Sequence, residues 1–442
     1  MLPKFERCIL SARWRFKSEI SDTDHPMAKF LFTMMPANDL GLPTRMVPVA
    51  RSLADRGHDV AVFNPAPAPA KLIADAGLKN PPFPARSVPV PATDLSVVSA
   101  AWDVEHMFAA AYADEEFVRA MTAAYVDVIR DFAPDVVVDS FDALSCLAAR
   151  VLQVPQASIL QGNFHPASPG FLWWQPVRPA GLPSAASVVN KVAAEYGIAP
   201  QPRCVDRLPG DFCLIVGTPE TDPLPASANV TYIGPLVWQR ADAVLPDWVA
   251  SLSREQPVIW VYSGNPRYGS GPTPIDSIVV IRAAMAALGE TPVQVVLTTG
   301  HQKIPSEFGE LPSNFHHAAY VPGLAMAERS DLMVHHGGHS SVMSGLMSGT
   351  PAVIIPTITE RESNARRLLA LGAGEVVMST NGADGEKYID VAEFRDKVHR
   401  VLNEPSYRAS AQRVAGSMRK YGGADEAARH LEKFASDSRR IL

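Results

Sequence analysis

The chain has 442 residues, 47% hydrophobic and 19% charged, with a net charge of −6. That length supplies more than one lobe with ample core, and the composition is that of an ordinary globular protein. The weakly acidic balance argues against nucleic acid as a partner, and the lack of any apolar run of roughly 18 residues argues against stable membrane insertion.

The segment 1–27 mixes Lys4, Arg7, Arg13, Arg15 and Lys17 with Glu6, Glu19, Asp22 and Asp24, and lacks the apolar centre of a secretory signal. It reads as a disordered extension. Lys29–Met34 then reads as a buried strand, Thr44–Arg56 as a helix stopped by Gly57, and His58–Phe63 as the next strand. This βαβ opening predicts a parallel sheet. Val97–Phe132 reads as largely helical, Asp135–Val138 as a strand, Ala143–Leu152 as a helix and Gln156–Leu160 as a strand. Asn163–Pro183 is Pro- and Trp-rich and irregular, and Leu214–Val216 and Val230–Ile233 close a first lobe.

A linker is expected over 236–256, and a second αβ series follows. Its strands are expected at Val258–Tyr262, Val293–Leu297, Phe315–Tyr320, Leu332–Val334 and Ala352–Ile355. Helices are expected at Ile275–Leu288, Val342–Ser348, Ser363–Leu371, 390–402 and 424–437. The implied organisation is an α/β protein of two lobes, 28–235 and 257–422, with a closing helix in 423–442. The four cysteines (Cys8, Cys146, Cys204 and Cys213) are scattered, without metal-binding spacing, and read as free thiols of a cytoplasmic protein.

The segment His335-His336-Gly337-Gly338-His339-Ser340-Ser341 carries the most chemistry. It follows an apolar run and precedes a helix. The unpaired N–H groups of a helix's first turn, with the aligned peptide dipoles, make an anion site. The glycines allow close backbone approach, while the hydroxyls and imidazoles add donors. A diphosphate is the expected guest.

Four further pieces fall in order around this turn. They are Val258 to Asn265, Thr298-Thr299-Gly300, Tyr320-Val321-Pro322-Gly323, and Pro356 to Asn364 with Gly372-Ala373-Gly374 after it. Together they resemble the family 1 glycosyltransferases of the GT-B fold, especially bacterial enzymes that glycosylate natural products. The resemblance implies two Rossmann-like lobes facing a central cleft, with a C-terminal helix packing back on the first. It implies a UDP- or dTDP-sugar as co-substrate, no cofactor and no metal. The donor-site residues it implies are Gly264, Asn265, Thr299, Gly300, Tyr320, Val321, His336, Gly338, His339, Ser340, Ser341, Glu360 and Arg361. Arg361 stands where the family usually has Gln; a sugar contact and a salt bridge to Glu362 are both open to it.

The first lobe departs further from the family. The catalytic His of the loop after the first strand is replaced by Leu42, which cannot take a proton. Asp139, Asp142 and Asp39 are the candidate bases, since burial in an apolar cleft raises a carboxyl pKa. Solvent-facing turn residues are the alternative for all three. Leu42, His106, His165, Trp173 and Trp174 are the expected acceptor contacts, and the Trp-rich loop points to a flat or apolar small molecule. The expected activity is inverting, metal-independent sugar transfer to such an acceptor. The competing reading is a nucleotide-sugar-binding pseudoenzyme or an auxiliary subunit of an active transferase.

Overall fold

The computed structural model describes residues 27–89, 93–239, 243–268 and 271–440. The extension expected up to residue 26 lies outside the described residues. Two six-stranded parallel sheets dominate. The first is built from β1 (Lys29–Met34), β2 (Asp59–Phe63), β3 (Val136–Ser140), β4 (Gln156–Gln161), β5 (Phe212–Val216) and β6 (Thr231–Gly234), in the order β2-β1-β3-β4-β5-β6. The second is built from β7 (Val258–Tyr262), β8 (Gln294–Thr298), β9 (Phe315–Ala318), β10 (Leu332–His335), β11 (Ala352–Ile354) and β12 (Gly374–Val376), in the order β12-β11-β10-β7-β8-β9. Runs such as Val258-Ile259-Trp260-Val261 are apolar on both sides because helices cover both faces of a parallel sheet.

The second sheet has the doubly wound order of a dinucleotide-binding unit, with β7 and β10 as the central pair from which the chain departs to opposite sides. In the first sheet the equivalent divergence lies between β1 and β3, whose registers meet at Thr33 and Asp139. Loops leaving the carboxyl ends of such pairs spread apart, and those two places are where each lobe can hold a ligand.

The expected elements are present, with boundary shifts that have local causes. Val97–Phe132 is not one helix. It is three, Leu95–Ser99, Val104–Ala111 and Glu115–Phe132, each restarted by an aspartate at its N-cap. Asp94, Asp103 and Asp114 accept from the N–H groups of Ser96, His106 and Phe117 respectively, which is the usual work of such caps. The helix after the Gly-rich turn begins at His339 rather than Val342, and the next begins at Thr359 rather than Ser363. Helices at Pro67–Asp75, Ala186–Glu195 and Pro405–Met418 have no counterpart in the sequence reading. Two of the three open on a proline that is tolerated in a first turn.

The closing helix Gly423–Arg439 leaves the second lobe and packs on the first. Ala427, Ala428, Leu431 and Ala435 join the core formed by β1, β3 and the helix Pro43–Asp55. Ser52 donates to Asp425 at 2.7 Å and His58 meets Glu432 at 2.9 Å. Leu431 is fully buried there. Its replacement by Ala should cost about 2–5 kcal/mol of stability. Chemical denaturation of the Leu431→Ala protein checks this, with the loss expected in the transition that reports the first lobe.

Candidate active site

The second lobe's divergence point is built around one side chain. β7 ends in Tyr262 and runs into Ser263-Gly264-Asn265; β10 ends in His335 and runs into His336-Gly337-Gly338. The His336 ring lies between these two turns. A Cβ added to Gly264 would meet its Cε1 at 2.7 Å, and one added to Gly338 would meet its Nε2 at 2.8 Å. Gly264 also has φ +65°, which a side chain would resist. The ring is nine-tenths buried and its Nδ1 finds no hydrogen-bond partner. Burial holds its pKa well below the usual histidine value, with the charges of Arg361 and His335 adding to the effect. A neutral imidazole at a helix entrance fits an incoming anion in the tautomer that carries its proton on the unused nitrogen. Ser340 and Ser341 stand in the first turn of that helix.

His335 has a different role. It is fully buried, and its Nδ1 accepts the N–H of Gly337 at 3.1 Å, fixing the turn. His339 also turns away from the diphosphate position. Its Nε2 meets Asp222 of the first lobe at 3.1 Å, with both side chains buried. Asp222 in turn accepts from the N–H of Gly162 at 2.9 Å. The His339 side chain thus links the lobes, and its backbone N–H is what stands at the helix entrance. Asp222 escaped the sequence reading because it sits in the polar, turn-like stretch Thr218 to Pro223. Its place just beyond the carboxyl end of β5 is the signal that marks it.

The remaining donor residues divide by exposure. Tyr320 is 40% exposed and stacks on His301, with ring centroids 4.7 Å apart and planes 9° from parallel. That stack is an accessible aromatic platform. Val321 is a core residue, so only its backbone is available to a base edge. Thr299 is buried, donates to the carbonyl of Gln302 and meets His317 at 3.2 Å, while Gly300 turns the chain at φ +57°. Asn265 Oδ1 accepts from the N–H of Arg267.

Glu360 reaches across the cleft and accepts from Gln161 Nε2 at 2.8 Å and from Asn364 Nδ2 at 2.8 Å. Asn163 approaches Asn364 at 3.4 Å beside it. Arg361 does not form the salt bridge to Glu362 that was open to it. Its guanidinium is buried and anchors loops, donating to the carbonyl of Ile275 at 3.0 Å, to Ser277 at 3.1 Å and to Thr357 at 2.5 Å. Glu362 pairs instead with Arg366. With the Tyr268 hydroxyl at 3.4 Å from Nη2, four oxygen acceptors surround it, which explains why a guanidinium fits there.

In the first lobe Asp139 and Asp142 come together, but both are closed to solvent. Asp139 accepts from Thr33 at 2.9 Å, from the N–H of Asp142 at 2.9 Å and from Ser145. Asp142 caps the helix Ala143–Val151 and accepts from Tyr112 at 3.1 Å and Tyr125 at 2.5 Å. Burial pushes both carboxyl pKa values up, and Asp142 raises Asp139 further. With their oxygens engaged and no exposed surface, neither is open to an acceptor's proton in this conformation. Their assignment as bases is revised to a polar core that fixes β3 beside β1. Asp39 lies in the partly exposed loop after β1 and accepts from the N–H of Gly41 at 2.8 Å.

Leu42 is half-buried and packs against the cores on both faces of the first sheet. His106 and His165 each accept a backbone N–H through Nδ1, from Trp102 and Ala167, and burial lowers the pKa of both. Phe171 and Phe108 are fully buried, so they serve packing. Trp173 and Trp174 lie under Arg367 and Arg366 of the second lobe, each guanidinium 4.1 Å from its ring centroid. A crevice between the lobes is lined by Asn163, Ser168, Trp173, Asp222, Ser363 and Arg367, among others. Among the described residues no group of three His, Cys, Asp or Glu is placed to hold a metal ion. No helix there is long and apolar enough to cross a membrane.

Residues 282–434 match the family described as "Erythromycin biosynthesis protein CIII-like, C-terminal domain". The chain is 26% identical over 332 residues to a PGL/p-HBAD biosynthesis glycosyltransferase of Mycobacterium tuberculosis, which covers 68% of this chain and 74% of that protein. Its fold is that of CalG4, the calicheamicin glycosyltransferase (TM-score 0.68, 21% identity, 92% of this chain and 98% of that one). It is likewise that of the glycosyltransferase VinC, solved in complex with dTDP (TM-score 0.65, 21% identity, 92% and 100%). The resemblance read from the sequence stands, and the fold is GT-B.

The cradle around His336 makes two predictions. Gly264→Ala should displace the ring and weaken UDP and dTDP binding, whereas Gly416→Ala, with open space around it, should leave binding unchanged. Titration calorimetry compares the two. The second concerns His335, whose pKa burial pushes down to about 3. Below the ordinary value near 6.5 the unfolded chain takes a proton that the folded chain refuses. Stability from this residue is full above that value and falls as pH drops toward 3. It should amount to about 2 kcal/mol lost by pH 5. Urea unfolding at pH 8 and pH 5 should show a shallower decline for His335→Gln.

Proposed function

We propose that the chain is an inverting, metal-independent glycosyltransferase. It moves a sugar from a UDP- or dTDP-sugar to a small, aromatic or apolar acceptor held against the first lobe. The observation that carries this reading is the buried neutral His336, with an unused nitrogen, at a helix entrance on the divergence of β7 and β10. The relatives named as glycosyltransferases support the reaction class, and the neighbour solved with dTDP supports the donor class.

In this reading the diphosphate lies over the turn His336 to Ser341, with the nucleobase on the Tyr320 side. The acceptor oxygen forms a bond to the anomeric carbon from the face opposite the diphosphate. The bond to the β-phosphate oxygen breaks and its electron pair leaves on the nucleotide. One displacement inverts the configuration. The charge that builds on the leaving group meets the helix N–H groups and the His336 imidazole, whose donors are already in place. Glu360 accepts from sugar hydroxyls once its bond to Gln161 is exchanged for one to substrate.

A second reading is a nucleotide-sugar-binding protein without turnover. Leu42 at the family's base position and the sealed Asp139–Asp142 pair favour it.

Incubation with UDP-glucose and dTDP-sugars plus a panel of phenols and polyketides, followed by mass detection of glycoside, separates the two. Transfer is expected to survive EDTA. His336→Ala should lower kcat by roughly a hundredfold, the usual cost of losing one preorganised donor at developing charge. Tight nucleotide binding with no product across the panel favours the second reading, and no nucleotide binding at all rejects both.

A further inference from the structure

We infer that Trp173 and Trp174 are positioning residues: with Arg367 and Arg366 they clasp the helix that carries Glu360 onto the first lobe, and so fix where the transferred sugar is read. The inference rests on the transferase reading and names what holds its sugar-binding carboxylate opposite the first lobe. The two tryptophans lie in the loop that follows β4, and the two arginines in the helix Thr359–Ala370, whose first turn holds Glu360. Each guanidinium stands 4.1 Å from its ring centroid. Side chains of consecutive helical residues diverge by about 100°. The two indoles meet edge to face with planes 85° apart, so that one ring faces each arginine.

Both sides of the clasp are tied down apart from each other. Phe171 is fully buried in the first lobe, and its N–H donates to the Trp102 carbonyl at 2.9 Å. Gly170 beside it has φ +93°, and a Cβ there would meet that carbonyl at 2.8 Å. Arg178 pairs with Asp103 at 2.7 Å on the far side of the tryptophans. On the helix, Arg366 Nε donates to Glu362, one turn earlier, at 2.7 Å. The half-buried Arg367 has no ion pair or side-chain hydrogen bond among the described residues; its guanidinium meets the face of Trp173. A cation over an indole gains more as water is excluded from it. Thr359 donates to the Ala101 carbonyl at 2.6 Å, Gln161 to Glu360 at 2.8 Å and Asn163 to Asn364 at 3.4 Å. Those bonds hold residues 359–364 to the first lobe, and the stacks carry the grip on to 366 and 367.

This gives the tryptophan faces to the helix rather than to an acceptor. The clasp also borders the space between the lobes, because Trp173 and Arg367 line the crevice there together with Asn163 and Asn364. The consequence differs for the two parts of a donor. The His336 turn and Tyr320 belong to the same lobe as the helix, and Asn364 ties the helix to that turn through the Gly337 carbonyl at 3.0 Å. A nucleotide diphosphate therefore meets the same surface with the clasp open or shut. The sugar is read by Glu360 beside Gln161 and Asn163, which come from the other lobe. It meets both lobes together only when the clasp is shut.

The test compares the wild type with three double variants: Trp173→Ala/Trp174→Ala, Trp173→Phe/Trp174→Phe and Arg366→Met/Arg367→Met. Each is titrated with UDP, dTDP, UDP-glucose and dTDP-glucose, and hydrogen exchange is followed by mass spectrometry. The alanine pair is expected to bind the sugar nucleotides about tenfold more weakly while keeping its affinity for UDP and dTDP. Exchange across 359–370 is expected to rise, with that of the helix Gly423–Arg439 unchanged. The methionine pair, which leaves the loop intact, is expected to show the same pattern even where the alanine pair folds poorly. The phenylalanine pair keeps a ring for each cation and is expected to recover most of the affinity. Wild-type exchange across 359–370 in the methionine pair overturns the inference. So does an equal loss for UDP and UDP-glucose, or a phenylalanine pair as weak as the alanine pair. A loss confined to the KM for 4-nitrophenol returns the rings to the acceptor and overturns it as well. Failure of the wild type to bind any of the four nucleotides rejects the transferase reading, and the exchange comparison still decides the clasp.

Discussion

The buried pair of Asp222 and His339 sets the geometry on which the rest depends. Asp222 takes the Gly162 N–H from its own lobe and the His339 imidazole from the other. His339 is the first residue of the helix whose entrance carries His336 and the two serines. One carboxylate thus ties the lip of the first sheet to the start of the anion-binding helix. The histidine partner and hydrogen bonds hold its pKa below the ordinary carboxylate value despite full burial. The surroundings are cut to fit it: a Cβ on Gly162 would meet Asp222 at 2.8 Å and one on Gly217 at 2.2 Å. Gln161 to Glu360, and the two arginines over Trp173 and Trp174, follow from the same alignment.

With the lobes so held, the donor side becomes a problem in electrostatics. Among the described residues, the turn His336 to Ser341 has no cation within it. In the proposed reading it relies on aligned N–H groups and on a neutral imidazole, while Arg361 holds Ile275, Ser277 and Thr357 through Nη1. Arg361 therefore influences His336 by its field alone. A preorganised neutral donor costs little to keep buried, and strengthens as charge appears opposite it.

Much of this was legible in the sequence, and for a physical reason. Strands buried on both faces read as unbroken apolar runs, and Gly-rich turns between a strand and a helix have few other uses. The lobes and the His336 turn came from such signals, while the return of the C-terminal helix came from the family resemblance. Roles set by tertiary partners did not. Asp139 looked like a strand-end acid, but Thr33, 106 residues earlier, encloses it together with Ser145 of the following helix. Arg361 was open to a sugar contact or to Glu362 because it stands at the family's Gln position; two of its partners, Ile275 and Ser277, come from a loop some 85 residues earlier. His339 and Asp222 are 117 residues apart, and neither has a local pattern that points to the other. Aspartate is also a common cap, so Asp103 and Asp114 divided a stretch that periodicity alone ran together.

The return of the C-terminal helix has a consequence for how the two halves are joined. The chain passes between lobes twice, once after β6 and once before Gly423. The passages lie side by side: a Cβ on Gly234 would meet that of Tyr421 at 2.5 Å, and one on Gly423 would meet the Pro235 carbonyl at 3.4 Å. Two adjacent tethers have the geometry of a door hinge, with a single line about which one half could turn relative to the other. They also define the exchangeable unit. A donor half transplanted from a relative has to be cut at both tethers, and the final helix stays with the half it packs on.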